Sequence, residues 1–481
     1  MKILNLAAYA LIIASLLPSM SSCKSDANPF DMMMSFPSST ENNKATIQLR
    51  LSVEDTRAGE LSTELEKKIN KVTVHVFNEK RELEATKNFS LTSGSTTVTM
   101  EVSHGFKTLY VVSEISNVNP QVGTSITDYE NMTFISTLDK LKSADGFVMV
   151  GNSEEQYVSS TSSQDNLPAS NIFEFKLKRL VAKAQVKSGN IDGTSFGITF
   201  GDASFKAFQL NQRMRVKHNG SDVFDSAASN FEDSNHNGTY DNYSEGVGDY
   251  LPGIKNAGDF TASGCAYMSE NIVSVPKSGN TTFLSVRFAT TPAKYYTFNS
   301  TNSKIEESAT APVDAATYYA VGIHDRDNGF VDYAINSSDN HIITFNSLSD
   351  ATAYMNSLNK SESSALTVSQ TESSLKAPAK GTRAGDTPQF EVITFDKGYA
   401  YYRVNIAHNE SSSDSPKNVY KVVRNKFYKV NINSVSSLGF GSEDLLRPKN
   451  AGNNVNADGH SWISATISVE DWDEVTQNVD L

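Results

Sequence analysis

Thr46-Ile47-Gln48-Leu49-Arg50-Leu51-Ser52-Val53 is the stretch whose reading decides the fold. Its apolar residues Ile47, Leu49, Leu51 and Val53 recur at every second position, the period of a strand with one face in a core. The same alternation returns downstream. Val72, Val74 and Val76 carry it within Lys71–Phe77, and Val98, Met100 and Val102 repeat it. Phe106 to Val112 is a longer apolar run, as expected of a strand covered on both faces. Helical periodicity is confined to Glu60–Asn70, to Asn131–Lys142 with Phe134, Ile135, Leu138 and Leu141 at helical spacing, and to Ala351–Leu358. The expected class is therefore mostly β, with small accessory helices.

Composition narrows the function classes. The chain has 481 residues, 42 basic against 55 acidic side chains and a net charge of −13, which argues against nucleic acid or anionic lipid as the main partner. Upstream of the first strand, Met1-Lys2 precedes an apolar run from Ile3 to Leu17, and Met20-Ser21-Ser22 leads into Cys23. Such a run is short for a membrane span and has the form of an export signal. Small residues directly before a cysteine suit a lipoprotein signal peptidase, so Cys23 is expected to carry the lipid. Cys265 is then alone, and no disulfide framework exists.

Four motifs carry a resemblance. They are Gly105-Phe106-Lys107-Thr108-Leu109-Tyr110-Val111-Val112, then Gly146-Phe147-Val148-Met149-Val150-Gly151, then Lys178-Arg179-Leu180-Val181-Ala182-Lys183-Ala184-Gln185-Val186. The fourth pairs Tyr399-Ala400-Tyr401-Tyr402 with the stretch from Val419 to Ile432, which contains Arg424-Asn425-Lys426-Phe427-Tyr428-Lys429-Val430-Asn431. In this order, behind a lipoprotein signal, they resemble the fimbrillin family of Bacteroidota, and most of all the major shaft subunits of the short (minor) fimbriae. The resemblance implies two transthyretin-like β-sandwich domains, small accessory helices and a C-terminal donor-strand appendage. On this chain that gives a signal peptide over 1–22, a propeptide with the first strand over 23–57, sandwiches over 58–176 and 177–438, and a tail over 439–481, with the junction near Leu177.

In the resembling subunits an Arg-specific protease cuts at a matching Arg-Ala-Gly, which places the cut between Arg57 and Ala58 here. Gly381-Thr382-Arg383-Ala384-Gly385 repeats the tripeptide in a second polar stretch. Cutting at Arg57 removes the strand holding Ile47, Leu49, Leu51 and Val53. A sheet that loses a strand shows unpaired backbone groups beside an apolar groove, a template for a strand from another chain. After a Gly-, Asn- and Asp-rich spacer over Gly439–Gly459, two alternating sets are candidate donors: Ile463, Ala465, Ile467 and Val469, and then Val475, Val479 and Leu481. Either set could instead close the second sandwich. The resemblance further implies other copies of the chain, accessory anchor and tip subunits, an Arg-specific protease and a host or bacterial surface ligand as partners. It also implies passage from a lipidated outer-membrane precursor to a cell-surface fimbria.

No constellation for catalysis is present, and no enzyme activity is expected. Gly193-Thr194-Ser195-Phe196-Gly197 has the spacing of a nucleophile elbow, yet Ile198-Thr199-Phe200 continues as strand where a helix is required. The histidines lack metal-ligand spacing. Asp233, Asn235, Asn237 and Asp241 stand at positions 1, 3, 5 and 9 of a calcium-type loop with Gly238 at 6, but Ser244 occupies position 12, where such a loop needs a bidentate acid. A polar turn is the simpler reading, and no cofactor is expected otherwise. The competing function is a surface lipoprotein that binds glycan or a host protein without polymerising, through aromatics such as Tyr318-Tyr319 or Tyr401-Tyr402.

Overall fold

The computed structural model describes residues 44–53 and 62–471, apart from 93–94, 115–118, 136, 161–165, 218–232, 236–238, 242, 245, 256–257, 274, 326–329, 364–374, 377–389, 409–418, 448–450 and 453–462. Cys23, Arg57, Ala58, Asn237, Arg383, Val475, Val479 and Leu481 lie outside the described residues.

The chain is mostly β, as its alternation predicts. The N-terminal strands are β1 (Lys44–Val53), β2 (Lys71–Phe77), β3 (Leu83–Ser90), β4 (Thr97–Ser103), β5 (Gly105–Ser113), the short β6 (Thr133–Ile135), β7 (Met149–Asn152), β8 (Gln156–Val158) and β9 (Ile172–Arg179). One sheet runs β3-β2-β5-β7-β9-β1-β4, with β8 paired to β5. It bends around a single core, because β9 pairs with β1 over Ile172–Leu177 and with β7 at Lys178 and Arg179. Inward residues of β1 and β4 therefore meet Val72, Val74 and Val76 of β2 across one apolar cluster.

The strands that follow are β10 (Val181–Ser188), β11 (Ile198–Phe208), β12 (Arg213–Arg215), β13 (Ala266–Ser269), β14 (Phe283–Pro292), β15 (Tyr318–Asp325), β16 (Phe330–Tyr333), β17 (Glu391–Phe395), β18 (Tyr399–Asn405), β19 (Lys426–Val435) and β20 (Ile463–Asp471). In one sheet β10 pairs with β13 and, in parallel, with β19, and β20 follows at the edge. The facing sheet is built on β11, β14 and β18. Ala184, Val186, Val430 and Ile432 of the first meet Phe205, Val286, Phe288 and Tyr402 of the second in the largest core. A smaller module sits beside it, in which β15 pairs with β16 and β17.

Several expectations shift. At the junction, which the resemblance puts near Leu177, β9 runs on to Arg179 to reach β7, and β10 begins at Val181 in the next sheet. The expected helix over Asn131–Lys142 is not continuous: α2 (Ile126–Asn131) ends where it should begin, the strand β6 follows, and α3 (Leu138–Leu141) covers its end, since pairing of β6 with β12 claims the middle of it. Among the described residues of Glu60–Asn70 only α1 (Glu64–Lys67) is helical, held by a capping box between Thr63 and Glu66. The helix expected over Ala351–Leu358 is longer, α4 (Leu348–Ser363). Gly146 explains the glycine that opens its motif: its φ is +137° and a Cβ would stand 2.9 Å from the Lys68 carbonyl oxygen. The stretch from Gly439, expected as a spacer, begins as packed chain. Phe440 exchanges two 2.8 Å backbone hydrogen bonds with Tyr401, and Leu446 and Ala451 are buried, so a few well-placed apolar residues suffice to dock it.

Candidate functional site

The first strand is internal. β1 runs parallel to β9, from Gln48 opposite Ile172 to Val53 opposite Leu177, and antiparallel to β4, from Lys44 opposite Ser103 to Arg50 opposite Thr97. Past the end of that second ladder, the Leu51 amide donates to the Thr96 carbonyl at 2.7 Å. Ala45, Ile47, Leu49 and Leu51 are each no more than 3% exposed, whereas Val53, at the end of the strand, is half-buried. Phe173, Phe175 and Leu177 of β9 and Val98, Met100 and Val102 of β4 share their core. Side chains fasten the start of the strand as well. Buried Asn171 donates to the Thr46 carbonyl at 2.9 Å and to the Ser159 carbonyl at 2.8 Å. The ion pairs Arg50–Glu174 and Lys44–Glu101 are exposed and contribute little. What holds β1 is thus chiefly a double backbone ladder and an apolar face, with the Asn171 bond at its start and only exposed ion pairs between the strand and its slot.

The candidate donor residues lie elsewhere. Ile463, Ala465, Ile467 and Val469 belong to β20, which pairs antiparallel with β19 and, among the described residues, with no other strand. Ile467 is buried, and Ala465 and Val469 pack against the second core. The sequence holds a signal that alternation alone misses: Ala45-Thr46-Ile47-Gln48-Leu49 recurs in kind as Ala465-Thr466-Ile467-Ser468-Val469. Among the described strands, the last thus presents a similar order of side chains to the first.

Charged motif residues converge between the two halves of the molecule. Arg179 and Lys183 from the third motif, Asn425 from the fourth and Glu66 on α1 form a buried cluster. Lys183 Nζ donates to both Glu66 carboxylate oxygens at 3.1 and 3.2 Å, Tyr267 donates its hydroxyl at 2.8 Å, and Arg179 Nε donates to the Glu66 carbonyl at 2.8 Å. Arg179 Nη1 donates to Asn425 Oδ1 at 3.2 Å. Burial lowers the Lys183 ammonium against the opposing pull of Glu66, and burial pushes the neighbouring Cys265 thiol up to about 12. Arg424 adds a 2.5 Å ion pair to Glu270 and donates to the carbonyls of Arg215 and Val216, tying to the second half the end of β12, which itself pairs with β6 of the first. Sequence reasoning treated these motifs as strand signatures. Their charges lock the two halves together, next to the segment that follows Arg57.

The remaining candidates do not assemble into a reactive site. Ser195 lies in a one-turn 3-10 helix that leads into β11, so no nucleophile elbow forms. Asp233, Asn235 and Asp241 are described, and the Asp241 carboxylate is already engaged by the Ser234 amide at 3.0 Å and hydroxyl at 2.6 Å. Among the described residues, no three His, Cys, Asp or Glu side chains gather as a metal site. Two of the proposed ligand aromatics are core residues: Tyr318 stacks on Phe395 at 4.9 Å and Tyr402 is 1% exposed.

Fold and site define a β-sheet protein whose distinctive feature is strand pairing rather than a cluster of reacting groups. A family model for the major fimbrial subunit protein FimA matches residues 45–204, and one for the C-terminal part of fimbrillin, the type IV major fimbrial subunit protein, matches residues 393–478, together a little over half of the chain. The chain belongs to the fimbrillin family and is a structural subunit of a cell-surface fimbria. Among solved structures it is similar to a fimbrilin from Porphyromonas gingivalis W83, at 14% identity over 90% of this chain and 99% of that one, with a TM-score of 0.47. It is also similar to the C-terminally truncated tip fimbrial protein Mfa3 of Porphyromonas gingivalis, at 14% identity over 89% of this chain and 100% of that one, with a TM-score of 0.37. No curated protein matches it in sequence.

Proposed function

We propose that this fimbrillin is a shaft subunit, exported as a lipoprotein lipidated at Cys23, cut between Arg57 and Ala58, and polymerised when the terminal strand of one copy replaces β1 in the next. The observation that carries this is the place of β1: it is internal to its sheet, it is held chiefly by backbone pairing and apolar packing, and it ends four residues before Arg57. One cut therefore frees a whole strand and leaves β9 and β4 with unpaired backbone facing an apolar slot.

Residue sizes select the register of the incoming strand. With Ala465 in the place of Ala45, Ile467 replaces Ile47 and Val469 replaces Leu49, at a cost of about 1 kcal/mol for one lost methylene. Asp471 then falls where Leu51 was, so the donor must turn away there, forgoing roughly 2 kcal/mol of burial. Shifting the strand by two residues puts Ile463 in the small Ala45 site and Ala465 in the Ile47 site, which costs about 3 kcal/mol or more through overpacking and a cavity. The first register wins. In the isolated chain β20 rests on β19, so donation begins with its release from that edge. The anchor and tip subunits of the fimbria are the further partners in this reading, and it needs no cofactor.

Treating the precursor with an Arg-specific protease and running it unboiled on a denaturing gel tests the reading. A ladder of resistant multimers, lost when residues 461–481 are deleted, is expected. Complete cleavage at Arg57 that leaves only monomers would refute it.

A further inference from the structure

Resting on that reading, we propose that Phe106 and Tyr157 form a landing surface for the tail of a second copy, receiving its Trp462 as the strand enters the slot. Both are large aromatic side chains left open to solvent, at 46% and 49% exposure, although most aromatics of this half are buried. They are direct cross-strand partners on β5 and β8 and meet edge to face with ring centroids 5.3 Å apart. A rigid, preformed aromatic pair facing water is the kind of surface that anchors an incoming apolar side chain.

Its position identifies the occupant. Lys44, the first residue of β1, pairs with Ser103, and two residues later the chain enters β5 at Gly105, next to Phe106. From the other side, Asn171 bridges the carbonyls of Thr46 and Ser159, the residue that follows β8. The aromatic pair thus stands at the end of the slot where β1 begins. In the size-matched replacement the incoming strand takes the direction of β1, parallel to β9 and antiparallel to β4. It therefore enters with its N-terminal side at this end. In the size-matched register, position 462 falls two residues ahead of the place of Lys44, and the residue there is Trp462, one of only two tryptophans in the chain.

The full-length chain, cut at Arg57, provides the test. Multimer growth is followed by gel and β1 release by mass spectrometry, for the wild type, Phe106→Ser with Tyr157→Ser, Trp462→Ser, and the three substitutions combined. Docking predicts that the aromatic double variant and Trp462→Ser each slow multimer growth about tenfold while β1 is released as in the wild type, the scale of one lost aromatic contact. The combined variant should be no slower than either alone, because both sides of one contact are already gone. Trp462 lies in the tail, so its substitution also guards against a folding defect in the first sandwich. Wild-type growth in the variants, or fully multiplicative slowing in the combination, overturns the landing surface and leaves the slot reading standing. A wild-type chain that releases β1 but never forms multimers overturns both.

Discussion

Truncating Leu49 to alanine should make β1 leave its slot faster after cleavage without altering the polymer that results. Leu49 is fully buried, between Phe173 on β9 and Val98 on β4. Losing its side chain costs about 2 to 5 kcal/mol, through lost transfer energy and the cavity left behind. In the intact precursor that cost appears as reduced stability. Once the chain is cut, only non-covalent contacts hold β1, and the cost appears in its rate of departure. If the Leu49 contacts are already broken in the transition state, 3 kcal/mol corresponds to roughly a hundredfold faster release, and to roughly tenfold if half of them are. The mature subunit no longer contains residue 49, so the multimers should match the wild type in their resistance to denaturant. Mass spectrometry of the freed peptide against time after a short protease pulse, with gels of the same samples, measures both quantities. Arg50→Ala is the control: its exposed pair with Glu174 at 3.4 Å should change release by no more than a few-fold. If Leu49→Ala destabilises the precursor but leaves peptide release and multimer growth unchanged, β1 is a permanent strand and the exchange account is wrong.

Three further outcomes follow from the geometry. Lys183→Met leaves the Glu66 carboxylate buried without its cation and should lower stability by about 3 to 5 kcal/mol, whereas Glu66→Met with Lys183→Met should recover most of that loss, as read from denaturant midpoints. Burial holds His75 down to about 4 from its usual 6.5, so the folded state binds fewer protons than the unfolded chain between those values. Stability should therefore fall as the pH drops from about 6.5 to 4, by about 3 kcal/mol from this group, and urea titrations of His75→Gln across that window should show a shallower fall. Asp471→Leu supplies an apolar side chain for the site vacated by Leu51 and should raise the temperature at which multimers dissociate on a denaturing gel; no change would mean that residue 471 never reaches the slot.

The alternation of Thr46 to Val53 made the strand and its inward residues legible, because one buried face imposes period two on the chain. That β1 lies between a parallel and an antiparallel neighbour was not legible, since pairing partners come from distant segments. The charged motifs were misread for a related reason. Lys183 sits on a strand whose two faces are both covered, so it looks outward by pattern while α1 brings Glu66 over it. Asn131–Lys142 carries true helical spacing, but its centre is taken by β12, a contact from some eighty residues away. At Gly439 a polar composition hid a docked segment, because Phe440 and Leu446 anchor it with almost no periodicity. The repeat of Ala45-Thr46-Ile47 at Ala465-Thr466-Ile467 was visible throughout and acquires meaning only once β1 is known to be internal.

The central claim, that the last strand of one copy takes the place of the first strand of another, is tested most directly by a cross-strand disulfide. Gln48 lies opposite Thr99, and in the size-matched register Ser468 takes the place of Gln48. Directly opposed antiparallel residues are close enough for a disulfide. After cleavage and mild oxidation, Thr99→Cys with Ser468→Cys should give a covalent ladder on a non-reducing gel. Thr97→Cys with Ser468→Cys, two residues out of register, should not. Monomers from both pairs, under conditions in which β1 has been released, would contradict the account.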